Sequence, residues 1–407
     1  MINMIWAIGL DDTDHPGGDC TTWHAHQLER VLVQHGAVPI ERRLVRLWPF
    51  AVRRTRGNAA LALVLEVRNE VYDECIMAIE NWFSDLVQHI HDNDVTKHAR
   101  PGLIVCEDGE MGEEIYWECV RSEFSDVSRI INHQSVILQL SSELGNHGLI
   151  GSAAAVSWRP GISSTYEGIA WRDKSVCGTK RNIPNDAIML LETKHPNTFM
   201  NRDPTRNRGL ISPRTPCPVL FGVRGWNFDD TRNALIEMLS LDWKEEISDY
   251  HIHRTNQCSD DHIESIIEGT VMNLPQRNRG GHVTLDMLTS NGIVSVISFK
   301  EGGKVNHQIG ESLPGDRIHA MGIFSPDGCL HIERFRRSYS SPGNLIRPNC
   351  DCGGHLRTMG KNSDLRCKLC GMKYPSHWIA MKRGTVDWVE PPESSRRHLS
   401  MPVKMMH

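Results

Sequence analysis

The sequence predicts a multidomain α+β protein. Three observations carry this: strand-like and helix-like stretches alternate over residues 4–262, short alternating strands crowd residues 269–335, and four cysteines bunch near the C-terminus. At 407 residues the chain is too long for one ordinary core. Apolar residues make up 39% and charged residues 23%, enough to bury cores and keep the surface wet, which excludes wholesale disorder.

Taken in order, residues 4–10 form an apolar run that reads as a buried strand, and residues 21–35 read as a helix with Leu28, Val31 and Leu32 on one face. A loop rich in Asp, Gly and Pro joins them. Strands are expected at 40–48 and 59–67 and a helix at 71–91. A second α/β stretch covers 125–262, with strands at 135–140 and 218–222 and a helix at 231–241. Its polar segment 202–214 is either a loop at a site or simply flexible. Strands at 282–288, 293–299, 317–324 and 329–335, punctuated by Gly and Pro, suit a small closed barrel such as an OB-fold, which often binds single-stranded nucleic acid. Residues 339–348 read as a linker, followed by the cysteine module and a polar tail.

The opening apolar run meets Asp11 and Asp12 with no basic flank or cleavage site, so it reads as a strand rather than a signal peptide. No stretch approaches the roughly 18 apolar residues needed to span a bilayer. The expectation is a cytoplasmic protein with no membrane partner, and the eight scattered cysteines suit reduced thiols there. Net charge is −5, unevenly spread: residues 331–407 hold 14 Lys+Arg against 6 Asp+Glu, the remainder 31 against 44. A basic end facing a polyanion, or a merely solubilising tail, fits that asymmetry; the acidic body could hold metal ions or a cationic substrate.

Chemistry concentrates first in Asp11-Asp12-Thr13-Asp14, three carboxylates just past a strand, where loops of α/β folds gather ligands. Acids this close repel one another unless a cation lies among them, and an oxygen-rich cluster suits Mg²⁺ bridging to substrate phosphates. Surface turns also favour Asp. Cys20-Thr21-Thr22 follows at a helix start, where free N–H groups attract phosphate. A threonine there could accept a phosphoryl group or simply cap the helix. Arg46, and Arg53, Arg54 and Arg56 ahead of Gly57-Asn58, add guanidinium forks and a close-approach glycine. No G-x-x-x-x-G-K-[ST] or G-x-G-x-x-G is present, so an ATP site must be of another kind.

These segments resemble, in order, motifs of the archaeal isoleucine-tRNA agmatinylcytidine synthetases, the TiaS family. Residues 9–14 resemble its GIDDTD opening, Cys20-Thr21-Thr22 its CTT, residues 44–49 its LIRL-x-P pattern and Thr55-Arg56-Gly57-Asn58 its TRGN. Gly148-Leu149-Ile150-Gly151 resembles GLIG, residues 215–222 TPCPVLYG, and Pro391-Pro392 with residues 395–400 its tail. Arg224-Gly225 and Gly281-His282-Val283 continue the match, which runs from about residue 4 to 402.

The resemblance implies a kinase-like ATP-binding domain (1–124), a ferredoxin-like domain (125–262), an OB-fold (263–338) and a zinc ribbon with a basic tail (345–407). It implies an ATP-dependent ligase that couples agmatine to C2 of the wobble cytidine in isoleucine tRNA with a CAU anticodon, the tRNA that reads AUA. Thr21 would be phosphorylated from ATP. Asp11, Asp12 and Asp14 would hold metal and nucleotide, with Thr13, Thr22, Arg46, Arg56, Gly57 and Asn58 around ATP. A phosphate derived from the ATP α-position would convert the cytidine C2 oxygen into a leaving group that agmatine displaces. Glu167, Asp173 and Asp186 are the acids nearest to hand for the dicationic amine.

Cys350-x-Cys352 and Cys367-x-x-Cys370 lie 14 residues apart, the paired-thiolate arrangement of tetrahedral Zn²⁺. The family has two residues inside the first pair where this chain has one, so either Cys350 or His355 completes the set. Lys382 and Arg383, with tryptophans 378 and 388 nearby, suit an RNA surface, as do Arg396, Arg397 and His398 in the matched tail. Two other classes remain: a non-catalytic single-stranded nucleic-acid binder using barrel and ribbon, and a stand-alone kinase acting on a small molecule. The aspartate and threonine set speaks against the first, the barrel, ribbon and tail against the second.

Overall fold

A computed structural model describes residues 3–15, 18–54, 57–161, 164–361 and 363–406. The chain divides into two compact units, residues 1–264 with 392–407, and residues 265–391. No helix among the described residues is long and apolar enough to cross a membrane.

Unit 1 is built on a nine-stranded mixed sheet. Its first module runs β1 (Asn3–Asp11), α1 (Thr21–Gln34), β2 (Val38–Arg46), β3 (Ala59–Arg68), α2 (Tyr72–Asn93), β4 (Gly102–Glu107), α3 (Glu113–Arg121), α4 (Val127–Ile131), β5 (Val136–Ser141) and α5 (His147–Ser157). Its second runs β6 (Thr165–Arg172), α6 (Ala187–Lys194), β7 (Thr198–Phe199), β8 (Arg202–Asp203), β9 (Arg208–Gly209), β10 (Val219–Gly225), α7 (Phe228–Leu239) and β11 (Ile247–Thr255). The strand order β5-β4-β1-β3-β2-β11-β6-β10-β7 makes one sheet of both modules. The joint is a parallel pairing, Arg254 and Thr255 of β11 against Arg43 and Leu44 of β2.

Period-two alternation sorts the strands between two apolar layers. Trp6, Ile8, Leu10, Leu61, Leu63, Leu65, Leu103 and Val105 pack beneath α1 and α2. The opposite face is lined by Ala7, Ala60, Ala62, Ile104 and Cys106 under α3 and α5. Small residues on that face let α5 descend almost onto the strands. A Cβ on Gly9 would stand 2.2 Å from the Ser152 carbonyl oxygen, and one on Gly102 would stand 2.2 Å from the Gly148 carbonyl carbon.

Residues 125–141, expected in the second domain, belong to the first module, because β5 pairs antiparallel with β4 from Gly102/Ser141 to Cys106/Val136. The helix expected at 231–241 starts earlier, since the Asn227 side chain caps it by accepting the Asp230 N–H at 2.9 Å. The tail expected to continue the cysteine module instead rejoins unit 1 from Pro392. There Leu399 enters the core, and the His398 and Leu399 carbonyls accept from Cys258 and Asp260 N–H, each at 2.9 Å.

Unit 2 carries β12 (Ile267–Val271), β13 (Gln276–Arg277), β14 (Val283–Thr289), β15 (Gly292–Ser298), α8 (Lys304–Gly310), β16 (Arg317–Phe324) and β17 (Leu330–Tyr339). β12 pairs with both β16 and β14, so the order β12-β16-β17-β15-β14 returns to its start. Val271, Leu285, Val296, Ile318 and Phe335 fill the interior with Val305 and Ile309 of α8. Beyond the expected linker come β18 (Leu345–Ile346), β19 (Leu356–Thr358), β20 (Leu365–Cys367), β21 (Lys373–Tyr374), β22 (Ile379–Ala380) and β23 (Val386–Val389). β19, β20 and β21 form a small sheet beside the cysteines, and β23 pairs with β17.

Candidate functional site

β1 delivers the acidic loop between α5 and α1. Asp14 turns back to the start of α1, where its Oδ1 accepts from the Thr21 N–H at 2.6 Å and the Thr21 hydroxyl at 2.8 Å. The buried Thr13 hydroxyl donates to Thr21 Oγ1 at 3.1 Å, and His24 Nδ1 lies 2.9 Å from Thr13 Oγ1. Thr22 Oγ1 lies 3.1 Å from Cys20 Sγ and accepts from the Trp171 indole at 3.2 Å. Thr21 is thus oriented by a carboxylate that can take its proton. The N-cap residue is Cys20, which makes no side-chain capping bond, so Thr21, one position on, is not the residue that caps the helix.

Among the described residues Asp11, Asp12 and Asp14 do not bring three carboxylate oxygens within 4.8 Å of one another, although the Asp14 charge still acts on both of the others. Asp12 takes the left-handed backbone conformation, with φ of +56°. Asp11 packs on α5, where a Cβ on Gly151 would meet its Oδ2 at 1.8 Å. Burial pushes the Asp11 carboxyl well above its usual range, with Asp12 adding repulsion. Burial also pushes Asp12 up to about 6, although the Arg53 guanidinium opposes the shift from 3.9 Å. Asp12 Oδ2 is buried without a hydrogen bond. Two crowded carboxylates, one with a bare buried oxygen, fit a hard divalent cation that keeps several waters.

Two cavities of unit 1 separate these groups. The smaller, about 70 Å³, is lined by Asp11, Asp12, Arg53, Asn58 and Gly151. It has room for an ion and a few waters, each of which occupies about 30 Å³ in the liquid. The larger, about 730 Å³, is lined by Asp14, Thr21, Thr22, Arg46, Glu167 and Arg224, and by Arg396 and His398 of the returning tail. That is the size of a nucleotide or drug-like ligand. Arg54 lines both.

The wall of the large cavity is a buried charge cluster. Glu167 meets Arg224 Nη2 at 2.9 Å and Arg46 Nη2 at 3.5 Å, and it accepts from the Gln257 amide. Burial alone would raise Glu167, but Arg224 and Arg46 outweigh it and hold the carboxyl below its usual range. Arg46 also donates to the Gly57 carbonyl at 3.3 Å, and a Cβ on Gly57, at φ +95°, would stand 2.7 Å from Arg46 Nη1. Asn58 spends its amide on the Trp48 carbonyl at 2.8 Å. Arg56 lies outside the described residues.

Of the three acids considered for the amine, only Glu167 reaches the cavity. Asp173 accepts from Ser175 N–H at 2.8 Å in a surface turn, and Asp186 sits at the head of α6. The polar segment resolves as a wall, since residues 208–217 line the same cavity. Arg224 was missed as a site residue; its place in the matched Arg224-Gly225 pair was the available signal.

In the cysteine module the sulfurs of Cys350, Cys352, Cys367 and Cys370 lie within 4.8 Å of one another. Four thiolates at that spacing fit a tetrahedral metal, whose ligand sulfurs stand about 3.8 Å apart. His355 instead lies 3.2 Å from Asn349 Oδ1 and is not in the cluster, so Cys350 is the fourth member. The basic residues expected to bind RNA divide between the units. Arg383 is committed to the buried Asp316 at 2.8 Å, whereas Lys382 is exposed. Arg397 sits over the Phe50 ring at 4.9 Å, and Arg396 and His398 face the large cavity.

A carboxylate-held hydroxyl on a nucleotide-sized, arginine-walled cavity, with an ion-sized pocket of two carboxylates beside it, is the equipment of a phosphoryl-transfer enzyme. It is set in a mixed α+β multidomain fold. Models of the TiaS TCKD domain and the TiaS FLD domain match residues 7–138 and 146–262. The tRNA(Ile2) 2-agmatinylcytidine synthetase TiaS of Methanopyrus kandleri is 31% identical over 98% of this chain and 96% of its own. The solved TiaS-tRNA(Ile2)-ATP complex is similar at a TM-score of 0.83 and 26% identity, covering 99% of this chain and 98% of that one. Apo TiaS is similar at 0.85 and 24%, over the same shares, which speaks for the fold. The chain belongs to the tRNA(Ile2) 2-agmatinylcytidine synthetase (TiaS) family.

Proposed function

We propose that the protein is an ATP-dependent ligase that couples agmatine to C2 of the wobble cytidine of isoleucine tRNA with a CAU anticodon, working in the cytoplasm. The observation that carries this is the likeness to a TiaS synthetase at 31% identity over 98% of the chain. It is supported by a Thr21–Asp14 pair on a cavity of nucleotide size.

In this reading Asp14 accepts the Thr21 proton as Thr21 Oγ1 attacks the γ-phosphorus of ATP, the β–γ P–O bond breaks and ADP is the leaving group. Asp11 and Asp12 would hold Mg²⁺, which would supply charge neutralisation to the phosphates. Arg46, Arg54 and Arg224 bind phosphate oxygens, with Thr13, Thr22, Arg56, Gly57 and Asn58 shaping the nucleotide site. The cytidine C2 oxygen then bonds the α-phosphorus as the P–O bond to the β-phosphate breaks, the β-phosphate side leaves, and the α-phosphate is carried on C2–O. The agmatine amine then forms the N–C2 bond as C2–O breaks, phosphate leaves with the oxygen, and the amine loses its proton. A ring carbonyl oxygen leaves poorly and a phosphorylated one leaves well, which is why ATP is required.

The recurrent sheet of unit 2 suits an OB-fold, the four cysteines a zinc ribbon, and the two modules of unit 1 a kinase-like and a ferredoxin-like domain. Lys382, with Arg396, Arg397 and His398, would contact tRNA. A non-catalytic binder would have no use for an oriented hydroxyl beside buried carboxylates.

The test is incubation with γ-labelled ATP, radiolabelled agmatine and isoleucine-tRNA transcripts that differ only at the wobble base. Label should enter wild-type protein but not Thr21→Ala, and agmatine should join only the cytidine transcript. Normal coupling by Thr21→Ala would remove the assigned role.

A further inference from the structure

Behind Thr21 lies a group of side chains that the proposed ligation does not use. Asp19, just ahead of α1, is buried with three imidazoles around it. His15 Nε2 is 2.8 Å and His89 Nε2 2.7 Å from Asp19 Oδ2, and these three ligand atoms lie within 4.8 Å of one another. His24 Nε2 lies 3.7 Å from Asp19 Oδ1, buried and without a hydrogen bond. The Lys174 ammonium, on a side chain 41% exposed, lies 2.6 Å from the same Oδ1.

Hydrogen-bond direction explains the bare His24 nitrogen. Thr21 has one hydroxyl proton and gives it to Asp14. Thr13 therefore donates to Thr21, and Thr13 Oγ1 must accept from His24 Nδ1–H. That tautomer leaves the Nε2 lone pair facing a carboxylate, and a 3.7 Å gap is too long for a hydrogen bond. Two ligands of one tetrahedral cation with bonds of 2.0–2.2 Å stand about 3.4 Å apart. The His24 gap already has that width, whereas the His15 and His89 contacts of 2.8 and 2.7 Å are hydrogen bonds that must open by about 0.6 Å as an ion takes the place of their Nε2 protons, which pass to solvent.

We propose that His15, Asp19 and His89, with His24 Nε2 turned toward the same carboxylate, form a site for a divalent transition metal such as Zn²⁺, distinct from the four-cysteine cluster. Imidazole with one carboxylate favours Zn²⁺ over Mg²⁺, which prefers oxygen. The ion replaces the Lys174 ammonium on Asp19, a displacement open to a half-exposed side chain. Bound, it ties the loop after β1 and the first turns of α1 to α2, and fixes the Thr13–Thr21 hydrogen bonds through His24 Nδ1. The site stands independently of any chemistry at Thr21.

The experiment loads the full-length protein with Zn²⁺, dialyses it, and measures metal content and affinity. Wild type should retain one equivalent beyond the thiolate site. Asp19→Asn and His89→Ala should weaken that equivalent by about 10–100-fold or more. Lys174→Ala removes the competing cation and should tighten it by about tenfold, a gain that misfolding cannot imitate. Equal metal content in wild type and Asp19→Asn, or no tightening in Lys174→Ala, overturns the site.

Discussion

Asp12→Asn should stabilise the metal-free protein. Burial raises the Asp12 carboxyl to about 6 in the folded chain, against about 4 in an unfolded one. The shift of roughly 2 units corresponds to about 3 kcal/mol. For a raised carboxyl, the folded state binds more protons than the unfolded one between those values. Stability is therefore whole below pH 4, falls as pH rises through 6, and stays reduced at pH 7. Asparagine carries no charge and tolerates the +56° φ of this position better than most residues. Its amide lacks a partner where Asp12 Oδ2 lacks one, so a net gain of about 1–3 kcal/mol is expected at pH 7, a rise of a few degrees in melting temperature. The assay is thermal unfolding of wild type and variant in chelator from pH 4 to 8, repeated with Mg²⁺. The difference should open between pH 4 and 6 and shrink with Mg²⁺, which stabilises only the charged pair. A variant that melts lower at pH 7, or a difference indifferent to pH, refutes the placement of Asp12 as a charge whose burial outweighs its Arg53 partner.

Three further outcomes follow from the packing. Gly151→Ala drives a methyl into the Asp11 carboxylate and should cost about 1–3 kcal/mol in stability and roughly 10²-fold in coupling rate, read by melting and single-turnover assay. Glu167→Ala strands Arg46 and Arg224 in the cavity wall and should cost about 3–5 kcal/mol in urea denaturation. Cys350→Ser, or chelation of the thiolate site, should expose residues 350–374 to protease while leaving the melting of unit 1 unchanged, because that small core consists of Leu356, Leu365 and the cysteines themselves.

Strong local signals survived folding. The run Met4 to Leu10 became β1 because alternate residues face two apolar layers, and Leu28 with Leu32 seats α1 on the sheet. The strands expected at 282–288, 293–299 and 317–324 all formed within a residue or two of those limits. α5 passed unread because Gly148-Leu149-Ile150-Gly151 is glycine-rich and helical only where Gly9 and Gly102 let it lie against β1 and β4.

By itself the sequence determined the α+β class, the family, three of the four clustered cysteines and the identity of the acidic and threonine residues, since each is written in residue type at short spacing. The place of Cys350 over His355 came from the structure. Tertiary structure alone decided how those residues are shared out. Asp14 pairs with Thr21, while Asp11 and Asp12 line a second pocket in which Asp11 lies against the Cβ-free surface of Gly151. It also decided that β11 joins two modules into one sheet, and that the tail brings Arg396 and His398 to a cavity walled by Glu167 and Arg224. Contacts between residues more than a hundred positions apart depend on loop paths and shape complementarity, which no local pattern encodes.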